Sequence, residues 1–503
     1  MAKNKRRKRK GPIRRLLSGI VTLVALVVVF AVAVVGWGHY YRTTYEFDAP
    51  SSIERTDGGV TVIADGNALY DENGDIFHIQ GINFGNLFLA EGWMTVNSVG
   101  PLLNEDGSFV KVNKDNIVEE YEEIFQEEMD AILAARFTDE QIEALNDAYF
   151  SSYCTEADFQ LIADMGLNTI RLPMYYRNFL STHDRYNLSD EQLCEQIDFA
   201  TYEFEFEKLD WFLEMADKYG LKVIIDMHGV MGGQSGFEHC GTRDIDFWDT
   251  PEYIEFMCKL WATIADRYSV DGAKSNLAPT VLAYDLVNEP TNRKEIGTGP
   301  KQWAVMDAMY QAIRTVDEDH VISIEGVWYF CSLPNPERFG WENVLYQYHF
   351  YNWNSSTIPN WLFYDFMYAL YSFSDYDVPK LVGEFNFFGE ASEWDKYLQM
   401  YDDHGLGWTI WSYKTVSVGW WDSSWGLVVN RMYLDNKGVE NQEDFRLKLD
   451  LNTASYEEIY ELWSNQYTEY TAAGQTGSYK YYDDNGKDNQ LYTFLKNHFE
   501  KNK

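Results

Sequence analysis

Eight short apolar runs constrain this chain more than any other feature: residues 77–84, 168–173, 221–227, 281–287, 321–325, 344–350, 379–385 and 407–413. Most are continuously apolar rather than alternating, as a parallel strand covered on both faces requires. Longer amphipathic stretches separate them and carry legible ends. Thr155 is placed to cap a helix that stops at Gly166, and a second runs from about Phe204 to Gly220. Thr250-Pro251 pairs an N-cap with proline at the first helical position, predicting a helix to Tyr268. Eight strands alternating with helices predict an α/β fold, a (β/α)₈ barrel occupying residues 61–503. Residues 101–154 read as an insertion with a Thr138-x-x-Gln141 capping box. The tail after residue 415 carries helical runs near 455–470 and 489–499, the second expected to close the barrel.

The N-terminus is of a different kind. Residues 1–15 hold nine Lys or Arg and no acid, and an uncharged apolar run of 23 residues follows from Leu16 to Gly38. A bilayer-spanning helix needs about 20 such residues, and a basic flank stays on the cytoplasmic side. The expectation is a basic cytoplasmic segment (1–15), a transmembrane anchor or uncleaved signal (16–38), a polar stalk (43–60) and a catalytic domain outside the cell. Cleavage near Ala31-Val32-Ala33, releasing a secreted protein, is the alternative. Residues 1–42 hold ten of the 41 basic residues and none of the 79 acidic ones. The remainder is therefore strongly anionic, which excludes nucleic acid as a partner but not an uncharged polysaccharide. Five scattered cysteines indicate neither a full disulfide framework nor a metal cluster.

In a barrel of this kind the C-terminal strand ends surround the active site. Read in order they present Asn83 or Asn86, Arg171, His228, Asn288-Glu289, Glu325, His349 with Tyr351, Glu384 and Trp411. Glu289 in LVNEP and Glu384 in LVGEF each end an apolar run, where an unpaired carboxylate is costly. Two such tips facing one pocket suffice to cleave a glycosidic bond. Glu384 is the expected nucleophile, held ionised by Arg171 and Tyr351. Glu289 is the expected acid/base, its proton tuned by His349. Asn288 is placed for a sugar 2-hydroxyl and Trp411 for a stacking floor. Glu325 and His228 alone carry no such assignment. A metal-dependent hydrolase would need clustered His and Asp ligands, whereas His228 and His349 come from different strands.

These motifs, with Arg171 in NTIRLP, His228 in IIDMHG, His349 and Tyr351 in YQYHFY, and Trp411 in WTIWSY, resemble glycoside hydrolase family five, the cellulase-type family of clan A. The resemblance implies a (β/α)₈ barrel, net retention at the anomeric carbon, no cofactor and no metal. Residues 81–95 and 226–241 are similar to the exo-β-1,3-glucanase branch, in which a first-loop glutamate, here Glu91, holds the terminal glucose. Ser235, the 101–154 insertion and the Trp420-Trp421 loop depart from that branch. The resemblance therefore implies a retaining, exo-acting β-glycosidase on β-glucan. An endo-β-1,4-glucanase and a non-catalytic glycan-binding barrel are the alternatives.

Overall fold

The computed structural model describes residues 12–44, 59–112, 118, 120–291, 298–327, 332–374, 376–387, 391–416, 426–430, 447–465, 481–482, 488–489, 495 and 498–500. The greater part of the expected stalk, the Trp420-Trp421 loop, Cys331 and most of the 489–499 run lie outside these.

All eight expected strands form: β1 (Gln80–Asn83), β2 (Thr169–Tyr175), β3 (Lys222–Gly229), β4 (Val281–Asp285), β5 (Val321–Glu325), β6 (Val344–Tyr351), β7 (Lys380–Asn386) and β8 (Gly407–Ile410). They pair in chain order into a closed, wholly parallel barrel, with β8 returning to β1. Their central residues are buried throughout, which explains why the runs are apolar without alternation. β2 extends two residues beyond the expected end, so Arg171 sits within the strand rather than at its tip. Register then decides which polar side chains meet. Asn83 lies beside Arg171, Asp226 beside Asp285, Glu325 beside Gln347, and His349 beside Glu384. Gly383 sits at the register shift just before Glu384 and packs on Gln347, where a Cβ would lie 2.4 Å from Gln347 Cδ.

The helices begin and end close to where the sequence places them, at Glu156–Asp164, Glu207–Lys218 and Pro251–Tyr268. The Thr138 and Gln141 capping box forms reciprocally, at 3.4 and 3.1 Å. Thr250 does not cap through its side chain. Its hydroxyl donates to the Asp246 carbonyl instead, and Pro251 alone marks that helix start. At the N-terminus one helix runs Pro12–Thr44, past the expected anchor end at residue 38 and into the first stalk residues; its membrane-compatible span is Gly19–Tyr41.

The insertion and the tail make one structure. Ile124, Met129, Leu133, Ile142 and Leu145 from the insertion close on Leu449, Leu451, Ile459 and Trp463 from the tail, in a hydrophobic cluster separate from the barrel core. A short strand at Asn97–Ser98 pairs in parallel with Leu449–Asp450, and Trp463 Nε1 donates to Asn97 Oδ1 at 2.9 Å. The result is a cap over one side of the barrel mouth. Leu145 is fully buried in it. Leu145→Ala should destabilise the protein by about 2–5 kcal/mol through lost burial and the cavity left behind, read as a shifted midpoint in urea denaturation.

Candidate active site

The site is built around Arg171, which is completely buried. Its Nε donates to Asp285 Oδ2 at 2.9 Å, one terminal nitrogen to Glu384 Oε1 at 2.9 Å and Asn83 Oδ1 at 3.1 Å, and the other to Asn288 Oδ1 at 2.8 Å. That second nitrogen also lies 3.1 Å from Asp226 Oδ2. Asn83 is anchored in turn by donating to the carbonyls of Gly383, Thr409 and Ile410. The guanidinium therefore joins four strands and the Asn288 loop.

Glu384 receives two donors from opposite sides, Arg171 on Oε1 and the Tyr351 hydroxyl on Oε2, the latter at 2.8 Å. Glu289 stands on the neighbouring rim with φ of 42°. Its backbone N–H donates to Glu325 Oε2 at 2.8 Å, and Gln347 Nε2 braces the same oxygen at 3.3 Å. That resolves Glu325: it holds the backbone that aims Glu289. The Glu289 carboxyl meets His349 Nδ1 at 2.9 Å and His239 Nε2 at 3.3 Å. Glu289, His349 and Glu384 each offer an atom, all within 4.8 Å of one another. That spacing suits a paired-carboxylate dyad, and as a donor set it also suits a metal ion.

Burial raises the proton affinity of both carboxyls, and their environments separate them. Glu289 is pushed up to about 8, by desolvation first and by the charge of Glu384 second. Glu384 is raised less, to about 7, because the Arg171 charge and the Tyr351 hydrogen bond oppose its desolvation. Glu384 is thus the first of the pair to ionise, and Glu289 keeps the shared proton. Burial holds His349 well below the usual histidine range, and Arg171 adds to the effect, so its imidazole is neutral.

His228 bonds through Nδ1 to Asp226 Oδ2 at 2.6 Å, and its Nε2 lies 3.4 Å from Asn288 Nδ2 and 3.8 Å from Glu91 Oε1. Trp411 is only 3% exposed and stacks on the His228 ring, with centroids 5.4 Å apart and planes 12° from parallel. One face of the expected sugar floor is therefore taken by His228. Glu91 is buried beside these residues and accepts from Trp93 Nε1 at 2.6 Å. Burial drives its proton affinity well upward, with nearby Glu238 adding to the rise.

Arg171, His228, Asn288, Glu289, His349, Tyr351, Glu384, Trp411 and Glu91 lie together at this mouth, and of the two asparagines read after the first strand it is Asn83 that meets Arg171. The sequence reading missed Asp226, Asp285, Gln347, His239, Glu238 and Lys448. Asp226 and His228 share one face of β3 by the two-residue strand period, a signal present in IIDMHG. Lys448 had no local signal. It comes from the tail, buried, and donates to the Gly92 carbonyl at 2.6 Å, bracing the loop that carries Glu91.

A closed parallel barrel with a carboxylate pair at its C-terminal rim defines a barrel of the glycoside hydrolase class. The model of the Cellulase family (glycosyl hydrolase family 5) matches residues 133–417, and the chain belongs to that family. Among curated proteins it is 28% identical over 214 residues to the glucan 1,3-beta-glucosidase of Blumeria graminis, covering 42% of this chain and 41% of that one. It is 28% identical over 227 residues to the beta-xylosidase of Phanerodontia chrysosporium, covering 44% and 42%. It is 31% identical over 213 residues to glucan 1,3-beta-glucosidase 2 of Wickerhamomyces anomalus, covering 42% of each. The match thus spans 41–42% of the length of these relatives.

Replacing Tyr351 by Phe removes one of the two donors that hold Glu384 ionised. The Glu384 carboxyl should then titrate at higher pH than in the parent, while Glu289 remains the last to lose its proton. Carboxyl-labelled glutamate followed by ¹³C NMR across pH 5–10 measures both.

Proposed function

We propose that this protein is a retaining, exo-acting β-glycosidase that hydrolyses β-glucan, with glucose in the cleaved position. The observation that carries the mechanism is the approach of Glu289 and Glu384 oxygens to within 4.8 Å. Retaining glycosidases hold their carboxyls about 5–5.5 Å apart, whereas inverting ones leave about 6.5–9.5 Å for a water. In the first step Glu384 attacks the anomeric carbon as Glu289 passes its proton to the departing glycosidic oxygen, leaving a glycosyl ester on Glu384. In the second, Glu289 takes a proton from water, whose oxygen displaces Glu384 from the same face the aglycone left. Turnover requires ionised Glu384 and protonated Glu289, so it falls on the acid side as Glu384 gains a proton and on the alkaline side as Glu289 loses one. Asn288, fixed by Arg171, faces the position of the 2-hydroxyl.

Exo-action is supported by Glu91 with Trp93 at one end of the mouth and by the cap packed behind their loop, a wall against a continuing chain. The names of the relatives, two glucan 1,3-beta-glucosidases and a beta-xylosidase, support a β-linked glycan. Gly19–Tyr41 serves as a single-pass anchor, with the basic N-terminus in the cytoplasm and the barrel outside.

Glu384→Ala should lower turnover by at least about 10³-fold, and azide should restore it with an α-glycosyl azide as product. Glu289→Ala should impair substrates with poor leaving groups most and yield the β-azide. Both results are expected unchanged in excess chelator; loss of parent activity in chelator would move the Glu289, His349 and Glu384 cluster to a metal role.

The product profile tests the substrate. Glucose alone released from β-1,3-glucan, with Glu91→Gln raising KM, is the expected outcome. A ladder of oligosaccharides from β-1,4-glucan would make the enzyme an endoglucanase, and binding without turnover on any glycan would make it a lectin-like barrel.

A further inference from the structure

The helix Asn360–Tyr371, between β6 and β7, has an unusual outer surface. Its outward stripe runs Trp361, Leu362, Phe366, Leu370 and on to Phe373, all apolar, with Trp361 49%, Phe366 44% and Phe373 75% exposed. The single charge in residues 360–374 is Asp365, which is buried. Other barrel helices turn charge outward, with Glu252, Glu255, Lys259 and Asp266 on Pro251–Tyr268 and Lys301 on Pro300–Arg314. A contiguous uncharged aromatic stripe on so anionic a protein is a surface that needs a partner.

The neighbour of this helix says which partner. The end of the membrane-compatible helix packs directly on it. Trp37 Nε1 donates to Ser372 Oγ at 2.6 Å, the Tyr41 and Tyr371 rings meet at 5.7 Å, and His39 Nδ1 lies 3.5 Å from Asp365 Oδ1. Gly38 makes the approach possible, since a Cβ there would overlap the Asp365 carbonyl. The span Gly19–Tyr41 is about 34 Å long at 1.5 Å per residue, against a hydrocarbon core of about 30 Å. Trp37 and Tyr40, 48% and 57% exposed, therefore stand where the helix leaves the hydrocarbon, the depth that aromatic side chains favour. Whatever touches Trp37 and Tyr41 is held at that depth as well.

We propose that the stripe Trp361, Leu362, Phe366, Leu370 and Phe373 docks on the interface of the bilayer that Gly19–Tyr41 crosses, seating the barrel on the membrane by this face. The proposal rests on the anchor reading above. The segment that leads into this helix starts at the catalytic rim, where Trp353, 60% exposed, has its ring 5.2 Å from that of Tyr351. Docking by this face fixes the orientation of the mouth to the bilayer, where a free tether would leave it random.

The test is photolabelling of the full chain in phosphatidylcholine liposomes containing a diazirine-tailed phosphatidylcholine, with adducts mapped by mass spectrometry. Lipid adducts on residues 359–374 as well as on the anchor, at least about five-fold above those on 251–268, are expected. The triple variant Trp361→Ser, Phe366→Ser, Phe373→Ser should lose the 359–374 adducts and keep those on the anchor. Anchor adducts without 359–374 adducts in the parent would overturn the docking and leave the anchor standing, and a dimer in nanodiscs would then name a second copy as the cover. Absence of adducts on both would overturn the anchor reading and the docking with it.

Discussion

One buried guanidinium organises the catalytic end of this barrel. Arg171 lies among Asp226, Asp285 and Glu384, with Asn83 Oδ1 and Asn288 Oδ1 also accepting from it, so a single positive charge faces more acid than it neutralises. Removing one member of such a buried set costs roughly 3–5 kcal/mol, because the others are left uncompensated. The imbalance is also useful. Burial lifts Asp226 to about 7 and Asp285 to about 6, and burial first, with the charge of Glu384 second, lifts Glu289 to about 8, above Glu384 at about 7. The carboxyl nearest the guanidinium ionises most readily, and the one braced instead by the neutral His349 holds its proton. The difference between two chemically identical side chains follows from the Arg171 and Tyr351 hydrogen bonds that Glu384 receives.

Support for the pair comes from strand register. Because Glu384 sits opposite His349 and Glu325 opposite Gln347, the side chains that aim and brace the dyad arrive on adjacent strands without a loop having to deliver them. Glu325 is the clearest case. It reaches the Glu289 backbone rather than its carboxyl, helping to fix a residue of positive φ whose carbonyl also accepts from the Thr291 N–H.

The eight strands were legible because burial on both faces leaves an apolar run with polar residues at or near its end, and Glu289, Glu384, His349 and Tyr351 were legible there; Arg171 was legible too, although it proves to lie within its strand. Three things were not. Asp285 and Gln347 lie inside apolar runs, where a lone polar residue carries no sign of the partner that satisfies it, and the strand period that pairs Asp226 with His228 gives no sign of Arg171. The plane of Trp411 depends on His228, which comes from another strand. The cap joins residues 97–98 to 449–450 and clusters Leu145 with Trp463, and amphipathic patterns reveal that a helix has an apolar face but not which distant face covers it.

Lys448 gives that last contact a temporal meaning. The carbonyl it holds belongs to Gly92, 356 positions earlier, next to Glu91. A chain emerging from the ribosome can pair its barrel strands in order as they arrive, but the Glu91 loop stays without its brace, and the cap without half of its hydrophobic cluster, until the tail follows. Glu384 on β7 and Glu289 on the loop after β4 can come together before that; the braced Glu91 loop cannot. An unfinished chain would carry Glu289 and Glu384 without the braced loop beside them, so that the shape of the pocket around Glu91 is the final property this molecule acquires as it folds.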